Sequence, residues 1–179
     1  MSGVDQRLPF VPVNIAILTI SDTRNLENDA SGALLEERAT EFGHKVVERT
    51  LVADHQPAIE KQLRTWISDP RIDIVLSTGG TGVTARDVTP EAVRRVIEKE
   101  IPGFGELFRY LSYRLIGTAT IQSRAIAGVA NATYIFALPG STSACKDAWD
   151  EILQFQLDSR HRPCNFVELL PRLKETVSL

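Results

Sequence analysis

Residues 77–92, Ser-Thr-Gly-Gly-Thr-Gly-Val-Thr-Ala-Arg-Asp-Val-Thr-Pro-Glu-Ala, hold the densest chemistry in the chain. Gly79, Gly80 and Gly82 strip side chains from a connection between an apolar strand and a helical pattern. Bare backbone N–H groups in such a turn can approach an anion closely, and a helix N-terminus nearby favours negative charge. Arg86 and Asp87 follow, offering a cation to phosphate and a carboxylate to a metal ion. The loop is not a P-loop, because Lys-Ser/Thr is missing after the last glycine, and it lacks G-x-G-x-x-G spacing. A tight turn needing positive φ would use the same glycines, but glycine density beside a charged pair favours phosphate contact.

Asp87 could simply flank the next helix, but Thr89, followed by Pro90, reads as the N-cap and leaves Asp87 for another role. Asp54 stands just before Gln56-Pro57 and reads most simply as a cap. Paired with Asp87 at a neighbouring strand end it would instead suit Mg²⁺, which combines one or two carboxylates with substrate phosphates. Ser123-Arg124 is either ordinary surface or a hydroxyl and a planar fork for phosphate. His44, His55 and His161 are scattered and read as solvated. Cys145, Trp66 and Trp149 fall at helical core spacing, and Cys164 reads as packing in the tail. No Ser/His/Asp or Cys/His nucleophilic set is visible.

The elements that must position these residues alternate. Val13–Ile20 is an unbroken apolar, β-branched run, as expected for a strand covered on both faces. Leu35, Ala39 and Phe42 recur at helical spacing until Gly43. A strand over 45–52, a helix opening at 54–57 and a strand over 72–76 follow. Pro102-Gly103 reads as a break before a helix carrying Phe104, Leu107, Phe108, Leu111 and Leu115 on its buried face. Strands over 124–129 and 133–138 flank a hairpin turn, and Ser141 can cap the next helix. Strand–helix alternation implies a three-layer α/β/α fold with a mostly parallel sheet. Ligands of such sheets sit at the carboxyl ends of the strands, where Ser21-Asp22, Asp54, the glycine loop and Pro139-Gly140-Ser141 fall.

Composition bounds the function. The 179 residues are 43% hydrophobic and 24% charged, with net charge −3, which suits one folded domain. The expected division is an arm over 1–12, a domain over 13–160 and a tail over 161–179. No basic run exists to neutralise a nucleic-acid backbone, and no stretch reaches membrane-spanning length. Two cysteines do not make a disulfide framework. The expectation is a cytoplasmic protein that binds neither nucleic acid nor membrane.

Thr78-Gly-Gly-Thr-Gly82, Arg86-Asp-Val-Thr-Pro-Glu-Ala92, Pro102-Gly-Phe-Gly-Glu106, Ser123-Arg124 and Leu138-Pro-Gly140 occur in that order. Together they resemble the molybdenum-cofactor biosynthesis family of molybdopterin-binding proteins, over about 13–166. The run from Ser112 to Arg124, Gly128-Val-Ala-Asn131, Pro139-Gly-Ser-Thr142 and Arg162-Pro-Cys-Asn-Phe166 look like its protein B branch. The resemblance implies a trimer, or a hexamer of two trimers. It implies adenylyl transfer from Mg-ATP to molybdopterin, giving adenylyl-molybdopterin and pyrophosphate, with later transfer to a molybdate-insertion protein. By the same resemblance Asp54 and Asp87 are the catalytic, Mg²⁺-handling carboxylates. Thr78, Gly79, Gly80, Thr81, Gly82, Arg86 and Glu106 line the substrate site. Ser123 is the pterin-site serine with Arg124 beside it, and Ser21, Asp22, Pro139, Gly140 and Ser141 border the nucleotide. Two other readings stay open: a non-catalytic molybdopterin-binding oligomer, and a hydrolase of nucleotide or pyrophosphate bonds.

Overall fold

A computed structural model describes residues 3–175. Six strands form one sheet in the order β3-β2-β4-β7-β6-β5. They are β2 (Asn14–Ile20), β3 (Lys45–Val52), β4 (Ile74–Thr78), β5 (Lys99–Glu100), β6 (Ile126–Ala130) and β7 (Thr133–Leu138). The first four in spatial order run parallel, and β6 and β5 run antiparallel to their neighbours. A separate two-stranded ribbon pairs β1 (Gly3–Val4) with β8 (His161–Arg162). The mostly parallel α/β/α expectation is met.

Alternate residues of each central strand feed two cores. Ile15, Ile17, Ile74, Leu76, Tyr134 and Phe136 face α1 (Ala30–Phe42), α4 (Pro102–Ile116) and α5 (Thr142–Ala148). Ala16, Leu18, Val75, Ile135 and Ala137 face α2 (Gln56–Ile67) and α3 (Thr89–Arg94). Coverage on both faces is why β2 reads as an apolar run rather than an alternation. α5 runs on through a π turn, Trp149–Leu153. Chain order steps from β2 to β3 on one side and to β4 on the other, so a crevice opens outside the carboxyl ends of β2 and β4.

Several local expectations are corrected. Pro102 does not break a helix: it occupies the first turn of α4, where its missing N–H is harmless. Only part of the expected apolar face of α4 is buried: Phe104 and Phe108 are in the core, whereas Leu107 and Leu115 are exposed. The hairpin turn contains two residues, Asn131 (φ 44°) and Ala132 (φ 64°). Cys164 is exposed, not packed, while Cys145 is buried as expected. Phe10 ahead of β2 and Phe166 beyond α5 pack on the domain. Phe10 lies against Phe42 and His44, and Phe166 against Tyr134 and Phe136.

His44 and His161 are buried rather than solvated. Phe10, Phe42 and Trp149 surround the His44 ring, whose Nδ1 accepts the Val13 N–H at 3.2 Å. Burial pushes the His44 pKa down from 6.5 to about 4, against the weaker opposite pull of Asp158. Below pH 6.5 the unfolded chain therefore takes up a proton that the native protein refuses, and stability falls as pH falls through that window. Replacing His44 with Asn should remove about 2–3 kcal/mol of the stability difference between pH 6.5 and pH 4.5. Urea unfolding of both proteins at the two pH values measures it; identical pH dependence would rule the assignment out.

Candidate functional site

Main-chain contact builds the floor of the crevice. The Gly79 N–H donates to the Leu138 carbonyl at 3.1 Å. Gly79 adopts φ 106°, and a Cβ there would stand 2.2 Å from the Ile20 carbonyl oxygen. Gly80, at φ 64°, would carry its Cβ 2.4 Å from the Thr89 hydroxyl and 3.2 Å from Asp54 Oδ1. Both positions need glycine for the backbone angle and for the close approach. The turn reading is thus correct. The N–H groups of Gly80 and Thr81 donate to no acceptor among the described residues.

Thr89 is not the helix cap. It lies inside α3, where its hydroxyl donates to the Gly79 carbonyl at 2.8 Å and its N–H to the Gly80 carbonyl at 3.0 Å. This buried threonine is a strut under the glycine loop. Asp54 does not cap α2 either; His55 occupies that position without a side-chain bond. Asp54 and Asp22 instead hold one another's backbone. The Asp22 N–H donates to Asp54 Oδ2 at 3.2 Å, and the Asp54 N–H donates to Asp22 Oδ1 at 3.0 Å. Arg86 reaches to 3.7 Å from Asp22 Oδ2. Ser21 accepts the N–H groups of Thr23 and Arg24, each at 3.2 Å, and fixes the turn out of β2.

Two lobes open from this floor. The smaller, about 420 Å³, is lined by Ser21, Arg24, Asp54, Thr78, Gly79 and Arg86 among others. The larger, about 460 Å³, runs between α4 and the start of α5, past Thr81, Gly82, Phe108, Ser112, Ser123 and Asp147. Gly80, Asp87, Gly140 and Ser141 line both. Ser141 caps α5 as expected, accepting the Ala144 N–H at 3.3 Å.

The two carboxylates differ. Burial raises the Asp54 pKa, and the charges of Asp22 and Asp87 add to that; the Asp22 N–H and Arg86 oppose it without cancelling it. Burial also raises Asp87, but hydrogen bonds from Thr84 and Gly82 and the charge of Arg124 outweigh it and leave Asp87 below the ordinary carboxylate range. Both Thr84 bonds, at 2.8 and 2.7 Å, reach Asp87 Oδ2. Among the described residues no group of three His, Cys, Asp or Glu side chains comes together. An ion held here would draw further ligands from phosphate or water, as Mg²⁺ commonly does. Asp54 and Asp87 line the same lobe and offer it carboxylate oxygens, the hard donors that such an ion takes.

Four expected contacts fall elsewhere: Asp22 lines neither lobe, Pro139 lines only the larger one, and Glu106 and Arg124 lie outside both. Glu106 lies in a separate hollow with Arg94, Glu100 and Arg109, outside both lobes. Arg124 is not a free fork for phosphate. Its Nε donates to the Gly82 carbonyl at 2.6 Å, its Nη2 to the Asp87 carbonyl at 2.5 Å, and Nη1 pairs with Glu91. The guanidinium therefore cross-links both ends of the 82–91 loop and so places Asp87. The residues that the sequence reading missed, Arg24, Ser112 and Asp147 among them, carried only the signal of a polar loop or a core helix.

A lysine at position 124 keeps the charge but cannot make this three-way fork. Arg124→Lys should lower amide-exchange protection over 87–92 by about tenfold, the equivalent of one or two lost hydrogen bonds. Protection unchanged from the wild type would mean that the loop holds itself.

A family model described as "Probable molybdopterin binding domain" matches residues 16–159. Molybdenum cofactor biosynthesis protein B of Escherichia coli K12 is 52% identical over 157 residues, 88% of this chain and 92% of that protein. A crystal structure of a molybdenum cofactor biosynthesis protein B superposes with TM-score 0.83 at 40% identity, covering 91% of this chain and 96% of that one. The tungsten cofactor synthesizing protein MoaB from Pyrococcus furiosus gives 0.71 at 29% identity, covering 92% and 98%. Matched by that model over most of its length and by a relative at 52% identity, the chain belongs to the molybdenum cofactor biosynthesis family of molybdopterin-binding proteins.

Proposed function

We propose that the crevice catalyses adenylyl transfer from Mg-ATP to molybdopterin. The observation that carries this reading is the pair of lobes meeting at Gly80, Asp87, Gly140 and Ser141, which lets two ligands touch at one point. Arg24 and Arg86 line only the smaller lobe, and among the described residues no Lys or Arg lines the larger one. The triphosphate belongs in the smaller lobe and the uncharged pterin in the larger. The phosphate of molybdopterin then sits at the junction.

The terminal phosphate oxygen of molybdopterin attacks the α-phosphorus of ATP. One P–O bond forms, the bond to the β-phosphate bridging oxygen breaks, and pyrophosphate leaves. The attacking phosphate dianion is already a nucleophile, so no strong general base is required. Catalysis then rests on positioning and charge compensation. Arg24 and Arg86 offset phosphate charge, and the unpaired Gly80 and Thr81 N–H groups donate to phosphate oxygens. Asp54 and Asp87 would hold Mg²⁺, which supplies Lewis-acid polarisation of the phosphorus under attack. Transfer of the product to a molybdate-insertion protein, in the cytoplasm, belongs to the same reading.

One observation favours a second reading, a non-catalytic molybdopterin-binding oligomer: Asp87 already serves its own loop through Thr84. Both Thr84 bonds use Oδ2, however, and neither occupies Oδ1. Incubation with molybdopterin and Mg-ATP separates the readings. Wild type should form adenylyl-molybdopterin, Asp87→Asn should lose about a hundredfold in kcat, and chelation of Mg²⁺ should stop turnover. Pterin binding without product from the wild type would leave only the binder.

Self-association belongs to the same proposal, as a trimer or hexamer. Leu107, Tyr110 and Tyr113 on α4 are 45%, 65% and 58% exposed, and Ile121 beyond it is 75% exposed. Apolar surface of this extent along one helix marks an interface. Light scattering should report three or six chains, and Tyr110→Asp should shift the mass towards the monomer; a monomeric wild type would exclude the arrangement.

A further inference from the structure

We propose that Asp147 reads the edge of the heterocycle in the larger lobe, selecting a ring that presents two adjacent N–H donors, as a 2-amino-4-oxopyrimidine does. The inference rests on the reading that this lobe takes the pterin. Asp87 and Asp147 are its two charged lining residues. Asp87 is held by Thr84, whereas Asp147 has no hydrogen-bond or ion-pair partner among the described residues. The adjacent Lys146 ammonium reaches past it to Asp150, at 2.6 Å.

Asp147 is a half-buried carboxylate at the wall of a pocket that includes Phe108, Leu115, Ile116 and Ala144, and no residue there takes up its acceptor oxygens. Burial raises its pKa, Lys146 lowers it, and Asp150 and Glu151 raise it again, so its surroundings favour added donors. The two oxygens of a carboxylate accept two parallel N–H bonds in the bidentate manner familiar from guanidinium pairs. The 2-amino group and ring N3–H of a pterin form such an edge. Adenine offers an amino donor beside the N1 acceptor and cannot match it. With no Lys or Arg lining the lobe among the described residues, an anionic group is disfavoured there. Asp147 thus sorts the two substrates between the lobes as well as orienting one of them.

The test titrates the full chain with neopterin monophosphate and with its 2-oxo (lumazine) counterpart, which replaces the 2-amino donor by a carbonyl. The wild type should prefer the pterin by about tenfold, the worth of a charge-assisted hydrogen bond, and Asp147→Asn should narrow the preference to about twofold. The lumazine affinity should change little, and circular dichroism should match the wild type. Equal wild-type affinity for both probes, or a preference that survives in Asp147→Asn, overturns the role of Asp147 alone. Failure of the wild type to bind either probe overturns the pterin reading of the lobe, and this inference with it.

Discussion

The site depends on one close approach: the glycine turn leaving β4 lies against the last carbonyl of β2. At Gly79 a side chain would meet the Ile20 oxygen at 2.2 Å, so the two strand ends can converge only with hydrogen there. That contact brings the Ser21-Asp22 turn, Asp54 after β3 and Asp87 after β4 to one mouth. Thr89, buried beneath, supports the turn from the opposite side with two bonds to its carbonyls. Because those carbonyls are turned inward to Thr89, the neighbouring N–H groups of Gly80 and Thr81 are left without partners among the described residues.

Around that floor the protein separates charge. A buried network braces the smaller lobe: Asp29, 1% exposed, accepts the Thr19 hydroxyl at 2.6 Å and Arg49 at 3.0 Å, and its other oxygen accepts the Gly32 N–H. Arg24 lies 3.7 Å from the same carboxylate. The loop from β2 to α1 is therefore fastened by bonds whose loss would bury an unpaired charge, which makes it a stiff wall. On the opposite side α4 and the start of α5 supply apolar side chains, hydroxyls and a lone carboxylate. One lobe is lined by arginines and the other mainly by apolar side chains and hydroxyls.

Arg124 shows how far the sequence leaves a task open. Ser123-Arg124, ahead of a strand, reads either as ordinary surface or as a hydroxyl and a planar fork for phosphate. In the fold its donors are already taken by two carbonyls and Glu91, and its contribution reaches the site through the placement of Asp87. Thr89 is a parallel case, read as a cap and found as a strut, because the helix begins one residue earlier than the cap position requires.

The sequence by itself determined the three-layer architecture, the glycine turn and the location of the carboxylates at strand ends. These follow from local rules: apolar runs make doubly covered strands, and glycines mark backbone that needs positive φ or close contact. It also carried the family through ordered motifs spread over most of the chain. Only the tertiary structure decided which polar groups are free and which are engaged. Asp54 turns from a cap into the partner of Asp22, Glu106 lies outside both lobes, and His44 is buried in an aromatic cage. The C-terminal half of α4, whose leucines read as core, stands partly exposed and walls the larger lobe, and Asp147 faces that lobe unpaired. Periodicity along one segment records which face is apolar. It does not record whether another element, a ligand or a second chain covers that face, because the answer lies with residues distant in sequence.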